Sequence, residues 1–169
     1  MVKLNFESIR HIVPKSWIVS SLDGHCTLKG IADAIWKFPE GSWFVVDYKL
    51  ASWTDKQERL SLLYHSQLNA YAYLAEKSQG KSVIGLVLLY FEPEYEDALH
   101  NDQLLHRTRE RFMFGFRCNA VPVEMQPLYR VEGLCQKICH ILSSPVPPQR
   151  KANCSSCKAL ADWFRKRRY

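Results

Sequence analysis

The sequence predicts an α/β (α+β) fold, on three features of its patterning. Short β-prone segments separated by turn residues fill the chain up to residue 49. The apolar period then lengthens to three and four residues between 54 and 78, as on a helix with one buried face. A nearly continuous apolar run over residues 82–91 follows, which suits a strand covered on both sides.

The first strand candidate is Ser16 to Leu22, closed by the turn signal Asp23-Gly24. A second runs from Thr27 to Trp36, and Lys37-Phe38-Pro39-Glu40-Gly41-Ser42 breaks the pattern after it. Trp43 to Lys49 is the clearest strand, and with the two before it predicts an antiparallel meander. In the helix, Leu60, Leu63, Tyr64, Gln67, Leu68, Tyr71, Leu74 and Ala75 share the periodic face; Thr54 caps its start and Gly80 ends it. With the strand from Ser82 to Phe91 it forms a strand–helix–strand crossover. A last strand is expected near Arg111 to Cys118 and a second helix from about Tyr129 to Leu142. The stiff stretch Ser143-Ser144-Pro145-Val146-Pro147-Pro148 leads to a cysteine pair and a basic tail, dividing the chain into residues 1–142 and 143–169.

At 169 residues, with 47% hydrophobic and 24% charged side chains, the chain has the size and composition of one globular domain. It holds no apolar run of about 18 residues, so no membrane partner is expected. Met1 to Arg10 lacks the marks of a secretory signal, and a cytoplasmic location is expected. In that compartment the six cysteines read as free thiols or metal ligands rather than disulfides. The net charge of +6 is concentrated in seven basic residues from Arg150 onward against the single acid Asp162, which leaves the preceding chain balanced. Such an end suits a polyanion, or is simply solvated.

The strand Trp43 to Lys49 contains the chemical anomaly. Side chains alternate, so Trp43, Val45, Asp47 and Lys49 share one face. A carboxylate and an ammonium in an otherwise apolar strand are costly unless they serve something. Two residues apart, they can address one phosphate: the acid holds a divalent metal, and the lysine stabilises developing charge or orients water. Asp33 is a second acid among apolar neighbours, and a hairpin turning at Lys37 to Ser42 brings it near Asp47. Two carboxylates with a strand carbonyl and waters form the oxygen shell that Mg²⁺ or Mn²⁺ prefers. Gln67 and Tyr71, four apart on the helix, can hydrogen-bond the lysine, the metal water or a phosphate.

Gly30-x-x-Asp33, Val45-Val46-Asp47-Tyr48-Lys49 and Gln67-Leu68-x-x-Tyr71 together resemble the RecB-type branch of the PD-(D/E)XK nuclease superfamily, which includes helicase-nuclease domains and a CRISPR-associated exonuclease. The resemblance covers roughly Trp17 to Phe91. It implies a restriction-endonuclease-like core, a central mixed β-sheet flanked by helices, and makes residues 1–142 a nuclease-like domain. It also implies hydrolysis of DNA phosphodiesters with Mg²⁺ or Mn²⁺, with Asp33 and Asp47 as metal ligands, Lys49 as catalytic lysine and Gln67 with Tyr71 in support. A helicase or recombination protein is the partner it implies besides DNA. Members of the branch carry a further His or Glu upstream, for which Glu7, His11 and His25 are the candidates here.

Relatives with an iron–sulfur cluster use four cysteines; Cys154 and Cys157 match two of the three near the C-terminus, and no third follows. The same pair has the spacing of a Zn²⁺ knuckle, for which Cys135, Cys139 and His140 are the available partners, although Cys135 and Cys139 fall at the spacing of core thiols. Trp163 and Phe164 with Arg165, Lys166, Arg167 and Arg168 form a candidate nucleic-acid-binding end. The expected function is a metal-dependent deoxyribonuclease; the alternatives are an inactive DNA-binding module of the same fold and a metal-knuckle interaction protein.

Overall fold

The computed structural model describes residues 9–20, 26–51, 58–93, 105–107, 112–146, 148–150 and 152–166. The elements in them are β1 (Arg10–Ile12), β2 (Trp17–Ser20), β3 (Thr27–Gly30), β4 (Ala34–Lys37), β5 (Trp43–Lys49), α1 (Glu58–Gln79), β6 (Val83–Pro93), β7 (Leu105–Arg107), β8 (Phe112–Phe114), β9 (Phe116–Val123), α2 (Leu128–Ser143) and α3 (Ser155–Lys166). Five strands form a mixed sheet in the order β1-β4-β5-β6-β9, while β2 with β3 and β7 with β8 make separate two-stranded ribbons. The fold is α/β (α+β), with a central mixed sheet and flanking helices.

The crossover is the spine of this arrangement. Strands β5 and β6 are parallel, with Val45 opposite Leu86 and Lys49 opposite Tyr90, because α1 carries the chain back between them. Every residue from Leu86 to Tyr90 is buried, as the unbroken apolar run requires. One sheet face, with Ile35, Val45, Leu86, Leu88 and Tyr90, packs with Leu68, Ala72, Leu74 and Ala75 of α1. The opposite face gathers Ala34, Val46, Val87 and Leu89, ringed by Trp36, Tyr48 and Phe91. At the end of α1, Gly80 takes φ +60 and its amide donates to the Glu76 carbonyl at 3.1 Å. That left-handed residue is the stop the sequence signals. Thr54, the expected cap, lies outside the described residues.

Three expectations need correction. The strand from Thr27 to Trp36 is two strands, because β3 pairs with β2 whereas β4 pairs with β5. The chain changes sheet across Ile31, Ala32 and Asp33, so the meander is broken there. The last sheet strand extends over Phe116–Val123, beyond Cys118. It pairs only with β6, and on such an edge Pro122 has no ladder bond to lose on its open side. Finally, the cysteines are not all free: Cys26 and Cys139 form a disulfide with Cα atoms 5.7 Å apart, joining the start of β3 to α2 across 113 residues of sequence. A loop that long is where a crosslink restricts the unfolded chain most.

Gly30 is set by packing. A Cβ there would stand 2.8 Å from Tyr71 Cε1 and 2.9 Å from Leu74 Cδ1, so α1 lies against β3 only because the side chain is absent.

Two outcomes follow from this packing. Gly30→Ala should lower stability by about 1–3 kcal/mol, read as a shifted denaturant midpoint, and an unchanged midpoint would mean Tyr71 does not press on this backbone. Unfolded without reductant, the protein should titrate four thiols, from Cys118, Cys135, Cys154 and Cys157, and all six only after reduction.

Candidate active site

Asp47 lies on the central strand and is 2% exposed, one of the few buried polar residues described. It shares with Val45 the sheet face that packs on α1, as alternation along β5 demands. Its neighbour on that face, Lys49, forms an ion pair with Asp47 Oδ2. The ammonium also sits over the ring of Tyr64 from α1, with Nζ 4.3 Å from the centroid. Burial pushes the Asp47 carboxyl above its usual range, the contact with Lys49 pulls it back, and the nearby charge of Asp33 raises it again.

Asp33 arrives from the other strand of the hairpin. Ala34 pairs with Val46, which places the preceding residue, Asp33, opposite Asp47. Asp33 is not inside a strand but in the bend before β4, where its Oδ2 accepts the Tyr48 amide at 2.8 Å. That bond fixes the carboxylate at the end of the ladder, beside the Asp47–Lys49 pair. The hairpin therefore delivers both acids, as the sequence spacing anticipates.

The helix residues are placed differently from expectation. Gln67 Nε2 donates to the Tyr71 hydroxyl at 2.9 Å, so the two polar groups pair with each other. Tyr71 rests on Gly30, three residues before Asp33, and the Gln67–Tyr71 pair thus backs the segment that presents the acid. Two residues beside Lys49 and Asp47 were not singled out from the sequence. Tyr64 lies three residues before Gln67 on the same helical face, and that spacing was the available signal. Tyr90, buried beside it on β6, has its hydroxyl pushed up by burial and by the proximity of Tyr64 and Asp47. Asn69 of α1, 5% exposed, bonds the Glu124 carbonyl at 3.0 Å and the Gln126 amide at 2.6 Å, tying the helix to the loop before α2.

Of the upstream candidates, Glu7 and His25 lie outside the described residues. His11 does not join the acids. It pairs with Trp36, stacks at 6.5 Å on Tyr48 and bonds the Tyr48 hydroxyl at 2.8 Å, all on the sheet face turned away from α1. Among the described residues no group of three or more His, Cys, Asp or Glu is gathered to hold a metal. Cys154 and Cys157 touch each other, the Cys157 amide donating to Cys154 Sγ at 3.3 Å, and that bond lowers the Cys154 thiol. Cys139, one of their proposed partners, is committed to Cys26. The basic tail is helical through Lys166 as α3, with Leu160, Trp163 and Phe164 exposed, while Arg167 and Arg168 lie outside the described residues. None of the described helices is long and apolar enough to cross a membrane.

A sequence model of the family described as the PD-(D/E)XK nuclease superfamily matches residues 2–161. Comparison with curated proteins gives no match. A solved structure described as "Crystal structure of SSO0001" is similar at 18% identity and a TM-score of 0.46, over 83% of this chain and 53% of that one. The chain thus spans about half the length of that protein.

A carboxyl raised by burial binds its proton more tightly folded than unfolded, so its contribution to stability is full below the unfolded value of 3.8 and is lost as pH climbs through the folded value. At neutral pH the ionised Asp47 therefore costs stability. Asp47→Asn should raise the denaturation midpoint at pH 7.5, with the gain shrinking as pH falls towards 3.8; a midpoint lowered at neutral pH would mean the Lys49 pair outweighs burial.

Proposed function

The chain belongs to the PD-(D/E)XK nuclease superfamily, and from that membership we propose that it is a Mg²⁺- or Mn²⁺-dependent deoxyribonuclease acting through Asp33, Asp47 and Lys49. The observation that carries the reading is the meeting of two carboxylates across the β4–β5 pair, one of them buried, with a lysine on the same face. Membership supports nuclease chemistry and a divalent metal; the choice of DNA and of action at strand ends follows the RecB-type pattern of Gly30, Asp33, Asp47, Lys49, Gln67 and Tyr71.

The donor set fits such an ion. Both side chains offer hard oxygen, and a buried carboxylate held above its usual range gains from a nearby cation. Magnesium keeps several waters of its own, so two acids and a strand carbonyl are an adequate protein share. A divalent ion bound there supplies Lewis-acid polarisation of the phosphodiester. The protein's own part is positional. Asp33 is fixed by the Tyr48 amide, and Asp47 by its place in the central strand. Lys49 brings a positive charge to the side of the phosphate where negative charge develops. Gln67 and Tyr71 hold the Gly30–Asp33 segment in place through the ring packed on Gly30. The two-acid count favours one second reading, a non-cleaving DNA-binding module of the same fold, since no third acidic or imidazole ligand stands with them among the described residues. Residues 1–142 are proposed as the nuclease unit and 143–169 as its connector, cysteine pair and basic end, with a helicase or recombination protein as the partner class.

Linear single- and double-stranded DNA should be cleaved with Mg²⁺ or Mn²⁺ and not with EDTA. Asp47→Ala and Lys49→Ala should each lower the rate by at least about a hundredfold while DNA binding, read by fluorescence anisotropy, is kept. Binding without metal-dependent cleavage in the parent protein would select the non-cleaving module.

A further inference from the structure

We propose that Tyr64 is a positioning residue for Lys49, giving the ammonium a place to stand when Asp47 is taken by a metal ion. The inference rests on the reading of Asp33, Asp47 and Lys49 as the reactive centre. The lysine pairs directly with Asp47 Oδ2, and that oxygen belongs to the carboxylate a cation would occupy. A cation at Asp47 both removes the lysine's counter-charge and repels it. An ammonium in a half-buried site then needs another partner, or it swings out to water and leaves the reaction.

The ring of Tyr64 is that partner. Its centroid is 4.3 Å from Nζ, within the range of a cation–π contact. The ring is neutral, so it holds the ammonium without competing with the carboxylates for the metal. It is also fixed: Tyr64 is packed against the core formed by Val45, Leu68, Leu88 and Tyr90. Tyr64, Gln67 and Tyr71 fall on one face of α1 at three- and four-residue spacing, so the same helix supports Lys49 through its first member and the Gly30–Asp33 segment through its last. In the free site the ammonium touches the carboxylate and the ring together, and a cation at Asp47 takes the first contact and leaves the second, so the ring matters most when the site is loaded.

A double-mutant cycle on the full chain tests this, read by Mn²⁺ titration calorimetry without nucleic acid and by steady-state cleavage. Tyr64→Leu should weaken Mn²⁺ binding roughly threefold to tenfold, the span of a half-buried cation–π contact, and lower kcat with little change in KM. Tyr64→Phe keeps the ring and should behave as the parent. In a Lys49→Ala background, Tyr64→Leu should change Mn²⁺ affinity no further. If Tyr64→Leu melts below the assay temperature, Tyr64→Met takes its place in the cycle. An equal loss of Mn²⁺ affinity with and without the lysine would overturn the inference and make Tyr64 a packing residue. So would an equal loss in the Phe and Leu variants, which would shift the role to the hydroxyl. Should Lys49→Ala alone leave both Mn²⁺ binding and cleavage unaltered, the reading of the lysine itself falls, an outcome distinct from either of the others.

Discussion

A carboxylate 2% exposed on the central strand sets the terms for what surrounds it. Asp47 is flanked along β5 by apolar side chains and covered by α1, where an ionised group is tolerated only with a partner. Lys49 is the partner at hand, two residues on and on the same face. The pair does not cancel the cost, since burial still dominates and Asp33 adds a like charge. Natural chains keep such frustrated groups where function requires them. On the proposed reading, a small divalent cation would relieve both acids at once.

The architecture holds that frustrated group from two independent sides. The β4–β5 hairpin fixes the two carboxylates by ladder register and by the Tyr48 amide. The crossover helix α1 fixes what surrounds them, with Tyr64 under Lys49 and Tyr71 on Gly30. Because β5 and β6 are parallel, the chain must cross back between their ends, and α1 does so over this face. Asn69 anchors the middle of the same helix to the loop before α2. Changes in the hairpin should thus act on ligand geometry, and changes in the helix on the lysine's surroundings.

Much of this was legible in the sequence. The strand Trp43–Lys49 matched its expected bounds because seven β-prone residues follow directly on the break at Lys37 to Ser42. The helix and the apolar strand after it were equally plain, and so was the fold class. The approach of Asp33 to Asp47 was anticipated, yet Asp33 was misplaced as a strand residue, since period and composition do not reveal that the chain changes sheet between Gly30 and Ala34. The Cys26–Cys139 pairing was not legible because it joins residues 113 apart, and a presumed compartment argued against it. Tyr64 was read as one more core position; only the position of Lys49 over its ring gives it chemical meaning.

The placement of His11 constrains how the site is completed. Residues on β1 alternate like those of any strand, so His11 follows Trp36 and Tyr48 to the face away from α1. Asp47 faces the other way, with Val45, towards the helix. On the proposed reading, a further ligand for a cation at Asp47 would come from the α1 side of the sheet and not from His11. Along β5 and β6 that side is filled by Val45, Leu86 and Leu88 packed on Leu68 and Ala72. On that side the charged neighbour of Asp47 is Lys49, and a cation proposed there must displace it from the carboxylate, which leaves the ammonium its contact with the Tyr64 ring.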